Sequence, residues 1–209
     1  LRQDLDSRPW QPGEERRAEY YYACDPCFAI GDFKGAKKRG AKYRNFPAYA
    51  YATQAAIVEV DRETGEVRLL KVIAAHDVGR AINPHIIEGQ MHGSCSMGQG
   101  YALSEGYPTE NGYPVKTLYR QLGLPRAEDT PDYEIILIED PEPQGPFGAK
   151  GISEVATVPV TPAILNAVSR AIGVRINKVP ASPEVVLEAI RTGKCDVPTM
   201  EQQIKELEK

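Results

Sequence analysis

The stretch Gly145-Pro146-Phe147-Gly148-Ala149-Lys150-Gly151-Ile152-Ser153-Glu154 crowds three glycines and a proline into seven residues and closes on a single carboxylate. Glycine serves where backbone is left-handed or must come close to a ligand. Proline fixes the angle at which the chain enters. The apolar run Val155-Ala156-Thr157-Val158-Pro159 follows at once, so the loop reads as a device for holding Glu154 in one place. Taken alone, it reads equally as an ordinary turn with a solvated Glu.

Other segments decide between these readings. The loop resembles the G-P-Y/F-G-A-K-G-x-G/S-E loop of the molybdenum hydroxylases, the xanthine dehydrogenase and aldehyde oxidoreductase family. Further segments agree with that family's large subunit in order and spacing. His76-Asp77-Val78-Gly79-Arg80-Ala81-Ile82-Asn83-Pro84 leads into Glu88-Gly89-Gln90-Met91-His92-Gly93 and then Gly98-Gln99-Gly100-Tyr101-Ala102-Leu103-Ser104-Glu105. After the loop come Thr161-Pro162-Ala163-Ile164-Leu165-Asn166-Ala167, Gly173-Val174-Arg175-Ile176 and Pro180-Ala181-Ser182-Pro183-Glu184. The resemblance runs from about Tyr49 to Arg191 and implies the C-terminal part of a molybdopterin-binding large subunit.

What the resemblance implies is specific. Family members hydroxylate an electron-poor carbon with molybdenum held by a pterin dithiolene, so no protein side chain is expected to ligate the metal. The pterin is molybdopterin or its cytosine dinucleotide. Glu154 matches the family's general base. Gly148, Lys150 and Gly151 are expected to shape the backbone around the cofactor, and Asp77, Asn83 and Gln90 to contact its polar groups. Asp77 and Asn83 can equally cap the helix that follows, Lys150 can form a structural ion pair, and His76 and His92 read as packed or surface histidines. The implied partners are the remaining part of the molybdenum subunit, an iron–sulfur subunit with 2Fe-2S clusters, a flavin subunit with FAD, and a small-molecule substrate. The favoured substrate is an N-heterocycle, a purine such as xanthine or hypoxanthine. Met97 stands where some purine-oxidising relatives carry Gln, and an aldehyde remains the alternative. A non-catalytic assembly subunit that kept the fold is the reading from another class, and the intact Glu154 loop argues against it.

Composition sits close to ordinary soluble values, and the expected location is the cytoplasm. A formal net charge of −4 gives no overall basic field to recruit nucleic acid. No run approaches the roughly 18 apolar residues of a membrane span. The cations Lys34, Lys37, Lys38, Arg39, Lys42 and Arg44 read as a solvated face or a partner contact rather than an RNA-binding patch. Cys24 and Cys27 have the C-x-x-C spacing of zinc or dithiol sites, but no second such pair completes a zinc site, so a structural role is expected.

The local signals predict an α+β fold, with helices packed against antiparallel strands. Ile57, Val58 and Val60 face Val67, Leu69, Leu70, Val72 and Ile73 across the turn Asp61–Glu66, which reads as a hairpin delivering His76 and Asp77 to a strand end. Asn83-Pro84 opens a helix whose glycines need a close-packed neighbour or a cofactor, and which could break near Gly98. Residues 107–131 read as loop with a turn at Asn111-Gly112, and Tyr133–Ile138 as a strand. Thr161-Pro162 reads as the start of a helix ended by Gly173, and Ser182-Pro183 as the start of one ended near Gly193. Thr199 with Gln202 signals a terminal helix. The expected divisions are 1–48, an N-terminal extension or linker; 49–193, the cofactor-binding domain; and 194–209, a tail helix.

Overall fold

The computed structural model describes residues 48–195 without a break, together with Gly13, Cys27, residues 33–38 and Phe46. The chain forms two compact units, residues 1–49 and 50–209. In the first, the short helix α1 (Phe33–Lys38) exposes Lys34, Lys37 and Lys38. Cys24, the rest of the cation run and the helix expected from Thr199 lie outside the described residues.

The second unit is built on a hairpin. β1 (Ala52–Val60) and β2 (Val67–Asp77) pair antiparallel. Asp61 closes the turn by accepting the Glu63 and Thr64 N–H groups on its side chain, at 2.8 and 3.1 Å. Alternation turns Gln54, Ala56, Val58 and Val60 inward along β1. On β2 the inward set is Leu69, then Val72, Ala74 and His76. The three-residue step follows from a bulge, because Ile57 faces Lys71 while Val58 faces Leu69, leaving Leu70 as the extra residue.

β2 ends, and the chain crosses through the helix α2 (Pro84–Leu103) before returning as β5 (Asp132–Ile138). A helical crossover brings the chain back to the end of the sheet where it started, so β5 lies parallel to β2. The sheet is therefore mixed, in the order β1-β2-β5, and antiparallel pairing holds only for the hairpin. Between α2 and β5, the strands β3 (Thr109–Glu110) and β4 (Tyr113–Pro114) flank Asn111-Gly112, both at positive φ, so this region carries a small hairpin within the expected loop.

α2 is one unbroken helix, so of the two readings of its glycines the break near Gly98 does not occur. Asn83 caps it, its side-chain oxygen accepting the Ile86 N–H at 3.2 Å. Gly98 is present because α3 lies against it: a Cβ there would sit 2.0 Å from Val160 Cγ1. The glycine thus sets a packing distance and leaves the helix intact.

The helix α3 (Thr157–Ile172) starts four residues ahead of the predicted Thr161-Pro162 cap. Pro159 falls in the first turn, where N–H groups have no intrahelical partner in any case. Thr161 spends its hydroxyl on the Gly98 carbonyl of α2, at 2.8 Å, instead of capping. Val160, Ile164, Val168 and Ile172 form the buried stripe, and Gly173 ends the helix at φ 79° as expected. The helix α4 (Pro183–Thr192) likewise ends on Gly193. The core lies between the inward face of the sheet and α2, α3 and α4, with Val72, Ala74, Met91, Cys95, Ile164 and Val186 fully buried. The outer face of the sheet leaves Ile57, Ile136 and Ile138 exposed.

Candidate active site

The loop expected to hold Glu154 is fastened to the segment that follows β2. Arg80 N–H donates to the Gly148 carbonyl at 2.8 Å, and Lys150 N–H to the Val78 carbonyl at 3.0 Å. Gly79, at φ 64°, permits this contact: a Cβ there would fall 2.4 Å from the Gly148 oxygen and 2.7 Å from the Lys150 nitrogen. Within the loop, Pro146–Gly148 makes one tight turn, in which Phe147 adopts φ 56° and stays 83% exposed. A bulky residue in that region is strained.

Asp77 and Lys150 meet at the centre of this junction, Lys150 Nζ lying 2.5 Å from Asp77 Oδ2 with both side chains buried. Asp77 Oδ1 accepts the Gly79 N–H at 2.9 Å. Burial pushes the Asp77 carboxyl up, but Lys150 and the Gly79 N–H together outweigh it and hold the group below its ordinary value. The same hydrogen bond to Asp77 raises the Lys150 ammonium against the opposing effect of burial. The two residues engage each other, and so pin the strand end to the loop.

Glu154 lies past this junction, exposed, just ahead of α3, and its carbonyl accepts the Thr157 N–H at 3.0 Å. Ser94 Oγ of α2 donates to the Ser153 carbonyl at 3.2 Å, and Thr157 Oγ1 donates to the Ser94 carbonyl at 3.2 Å. From β1, Gln54 Nε2 donates to the Ala156 carbonyl at 2.9 Å and contacts His76 Nε2 at 2.8 Å. A carbonyl can only accept, so the Gln54 nitrogen must face it, and His76 Nε2 is then the acceptor of a neutral ring. Burial lowers the His76 pKa and favours that neutral form.

The remaining predicted residues fall on or beside the exposed side of α2. Gln90 is exposed there; Gly93 and Met97 follow it at helical spacing on the same face. Nothing would meet a Cβ at Gly89 or Gly93, so bare helix backbone is open between Ile86 and Met97. Gly151 is open in the same way. Asn83, at the start of this helix, is used as its cap. His92 is exposed and stacks on Tyr133, with ring centroids 5.1 Å apart, within the packed-or-surface reading. No cluster of possible metal ligands exists among the described residues, and Cys24 of the C-x-x-C pair lies outside them. A cleft of about 940 Å³ lined by Asp61, Glu66, Gln99 and Asp129 lies by the hairpin turn, and Glu154 is not among its walls.

Gln54 and Ser94 were not among the sequence candidates. Gln54 left a signal, being a polar residue in the inward phase of β1 beside Ala56, Val58 and Val60. Ser94 left none, since a serine among helix glycines has no single reading.

A family model described as a molybdopterin cofactor-binding domain matches residues 11–131, more than half of the chain. The chain belongs to the molybdenum hydroxylase family. This match begins well before Tyr49, so it takes in residues 11–48 of the stretch that motifs left unread. Among curated relatives of this family, a probable xanthine dehydrogenase subunit of Bacillus subtilis is 38% identical over 68% of the chain and 19% of its own length. An aldehyde oxidoreductase of Megalodesulfovibrio gigas is 37% identical over 70% of the chain and 16% of its own. The nicotine 6-hydroxylase large subunit of Paenarthrobacter nicotinovorans is 35% identical over 69% and 18%. Among solved structures, quinoline 2-oxidoreductase of Pseudomonas putida 86 superposes with a TM-score of 0.64 at 34% identity, over 68% of this chain and 19% of its own. The chain therefore spans about a fifth or less of the length of these relatives, and corresponds to part of a molybdopterin-binding subunit. No helix among the described residues is long and apolar enough to cross a membrane.

Proposed function

We propose that this chain supplies the general base, and part of the cofactor cradle, of a molybdenum-dependent hydroxylase acting on an electron-poor carbon. The observation that carries this reading is the exposed Glu154, whose backbone is held from both sides, on one of them by α2, the helix that leaves open backbone at Gly89 and Gly93. A carboxylate does such work when ionised and within about 2.6–3.2 Å of the proton it removes. Glu154 accepts that proton from the water-derived oxygen that becomes the product's new substituent. When bound, the molybdenum–pterin group supplies the oxygen-transfer and two-electron chemistry.

The residues present fit such a group. Gln90 offers an exposed amide to its polar atoms, and the Gly89–Gly93 backbone and Gly151 allow close approach without side-chain obstruction. Gly148, with Asp77 and Lys150, forms the frame that fixes the loop, and Asn83 fixes the start of α2.

The favoured substrate is an N-heterocycle, a purine such as xanthine or hypoxanthine, with electrons leaving to iron–sulfur and flavin centres on partner subunits. Relatives named as a xanthine dehydrogenase subunit, a probable hypoxanthine oxidase and a nicotine hydroxylase support it. The second reading, an aldehyde substrate, is supported by the relative named as an aldehyde oxidoreductase. The exposed outer sheet face, with Ile57, Ile136 and Ile138, suits burial against the rest of a molybdenum subunit.

Native purification of the complex containing this chain, with metal and pterin analysis, tests the reading. Molybdenum and pterin should travel with a larger chain, and turnover should be found with hypoxanthine before benzaldehyde. A chain that runs alone and metal-free, under conditions that load relatives, would favour a non-catalytic role.

A further inference from the structure

We infer that Gln54 and Ser94 are positioning residues for Glu154, each gripping a carbonyl on one side of it. This rests on the reading of Glu154 as the base. No hydrogen bond holds the Glu154 carboxylate among the described residues, so its aim depends on the backbone that carries it. That backbone is held at Ser153 by Ser94 Oγ of α2 (3.2 Å) and at Ala156 by Gln54 Nε2 of β1 (2.9 Å). The grips come from different elements, so together they fix both the height and the twist of the span between them. Ser94 acts in two directions, since its own carbonyl accepts the Thr157 hydroxyl at the first residue of α3 (3.2 Å). Gln54 is in turn held by His76 Nε2 at 2.8 Å.

The chemistry of Gln54 argues against a purely structural role. Its position belongs to the inward alternation Gln54, Ala56, Val58, Val60, where an apolar side chain would suit the core. Its Oε1 is buried with no partner, a defect that a methionine of similar shape would remove. What glutamine provides there, and methionine does not, is the pair of donors that reach the Ala156 carbonyl and the His76 ring. A general base is sensitive to shifts of about 1 Å, which cost on the order of a hundredfold in rate.

The test compares Gln54→Met, Ser94→Ala and Glu154→Gln in the molybdenum-loaded complex. It reads metal and pterin content, hydrogen exchange of the peptide over residues 153–158, and kcat and KM separately. In Gln54→Met and Ser94→Ala, cofactor content should hold, exchange should rise within 153–158, and kcat should fall about tenfold to a hundredfold with KM within about twofold. Unchanged exchange over 153–158 in both variants would overturn the clamp. So would faster exchange with kcat unchanged, because the grip would then not serve the base. Should Gln54→Met fail to fold, Ser94→Ala alone decides, as it removes one hydroxyl and no packing volume of consequence. Glu154→Gln separates the two claims: full turnover there removes the base reading, while its loss alongside two unaffected clamp variants removes only the clamp.

Discussion

Replacing Gly98 and Gly93 of α2 with alanine, one at a time, should move stability in opposite directions. An alanine at 98 would set its Cβ 2.0 Å from Val160 Cγ1, with the Thr157 carbonyl and Thr161 hydroxyl oxygens each at 3.3 Å. Ordinary carbon–carbon contacts lie at about 3.5–4.0 Å. Val160 is fully buried, so it cannot swing away into solvent. The helices must part, at a cost of about 1–3 kcal/mol. Alanine's better helix propensity returns only about 1 kcal/mol of this. At 93 the added Cβ meets nothing, so propensity acts alone and should stabilise by about 0.5–1 kcal/mol. Urea unfolding followed by far-UV circular dichroism reads both changes. Gly93→Ala carries a second expectation: in the assembled complex it should lower pterin content although its helix is more stable, because the new methyl stands on the face proposed for the cofactor. Gly98→Ala at or above wild-type stability would refute the close α2–α3 contact. Gly93→Ala with full pterin content would take that helix face out of the cradle.

Three further outcomes follow from the same structure. Asp77→Asn should flatten the acid limb of the stability curve. The depressed Asp77 carboxyl contributes stability that is whole above its ordinary value of 3.8 and is lost as pH falls through its lower folded value, so the variant and wild type should converge at low pH in acid titrations. Ile164→Ala, at a fully buried position of α3, should cost about 2–5 kcal/mol in urea unfolding; a cost under about 1 kcal/mol would contradict its place in the core. Cys95, fully buried with its thiol pushed up to about 11 by burial, should resist iodoacetamide at pH 8 in the native protein and react on unfolding.

Much of this architecture was legible because its signals are local. The Asp61–Glu66 turn, the Asn83-Pro84 start of α2 and the terminating glycines at 173 and 193 each act through neighbouring residues, and each fell where the pattern indicated. The misreadings came from distant contacts. Thr161-Pro162 carries the composition of a helix start, but α3 begins at Thr157, and the Thr161 hydroxyl is drawn across to the Gly98 carbonyl. Gly98 answers to the close-packed neighbour that the helix glycines called for and not to a break, but that the neighbour is α3 leaves no trace in local sequence. The parallel placement of β5 depends on the whole α2 crossover, not on any residue of β5 itself. At the site, the family loop pointed to Glu154, but the residues that hold its backbone arrive from β1 and α2. Ser94 lies 59 residues before the carbonyl it grips and Gln54 lies 102 before its own, far beyond the reach of any local pattern.

The most direct test of the account is turnover by the Glu154→Gln form of the molybdenum-loaded complex, measured beside its metal and pterin content. Glutamine keeps the side chain's size and removes its capacity as a base at neutral pH. The account predicts full cofactor content with kcat reduced by at least the roughly 10²–10⁴-fold that a general base contributes. Turnover within a few-fold of wild type, with cofactor intact, would contradict it.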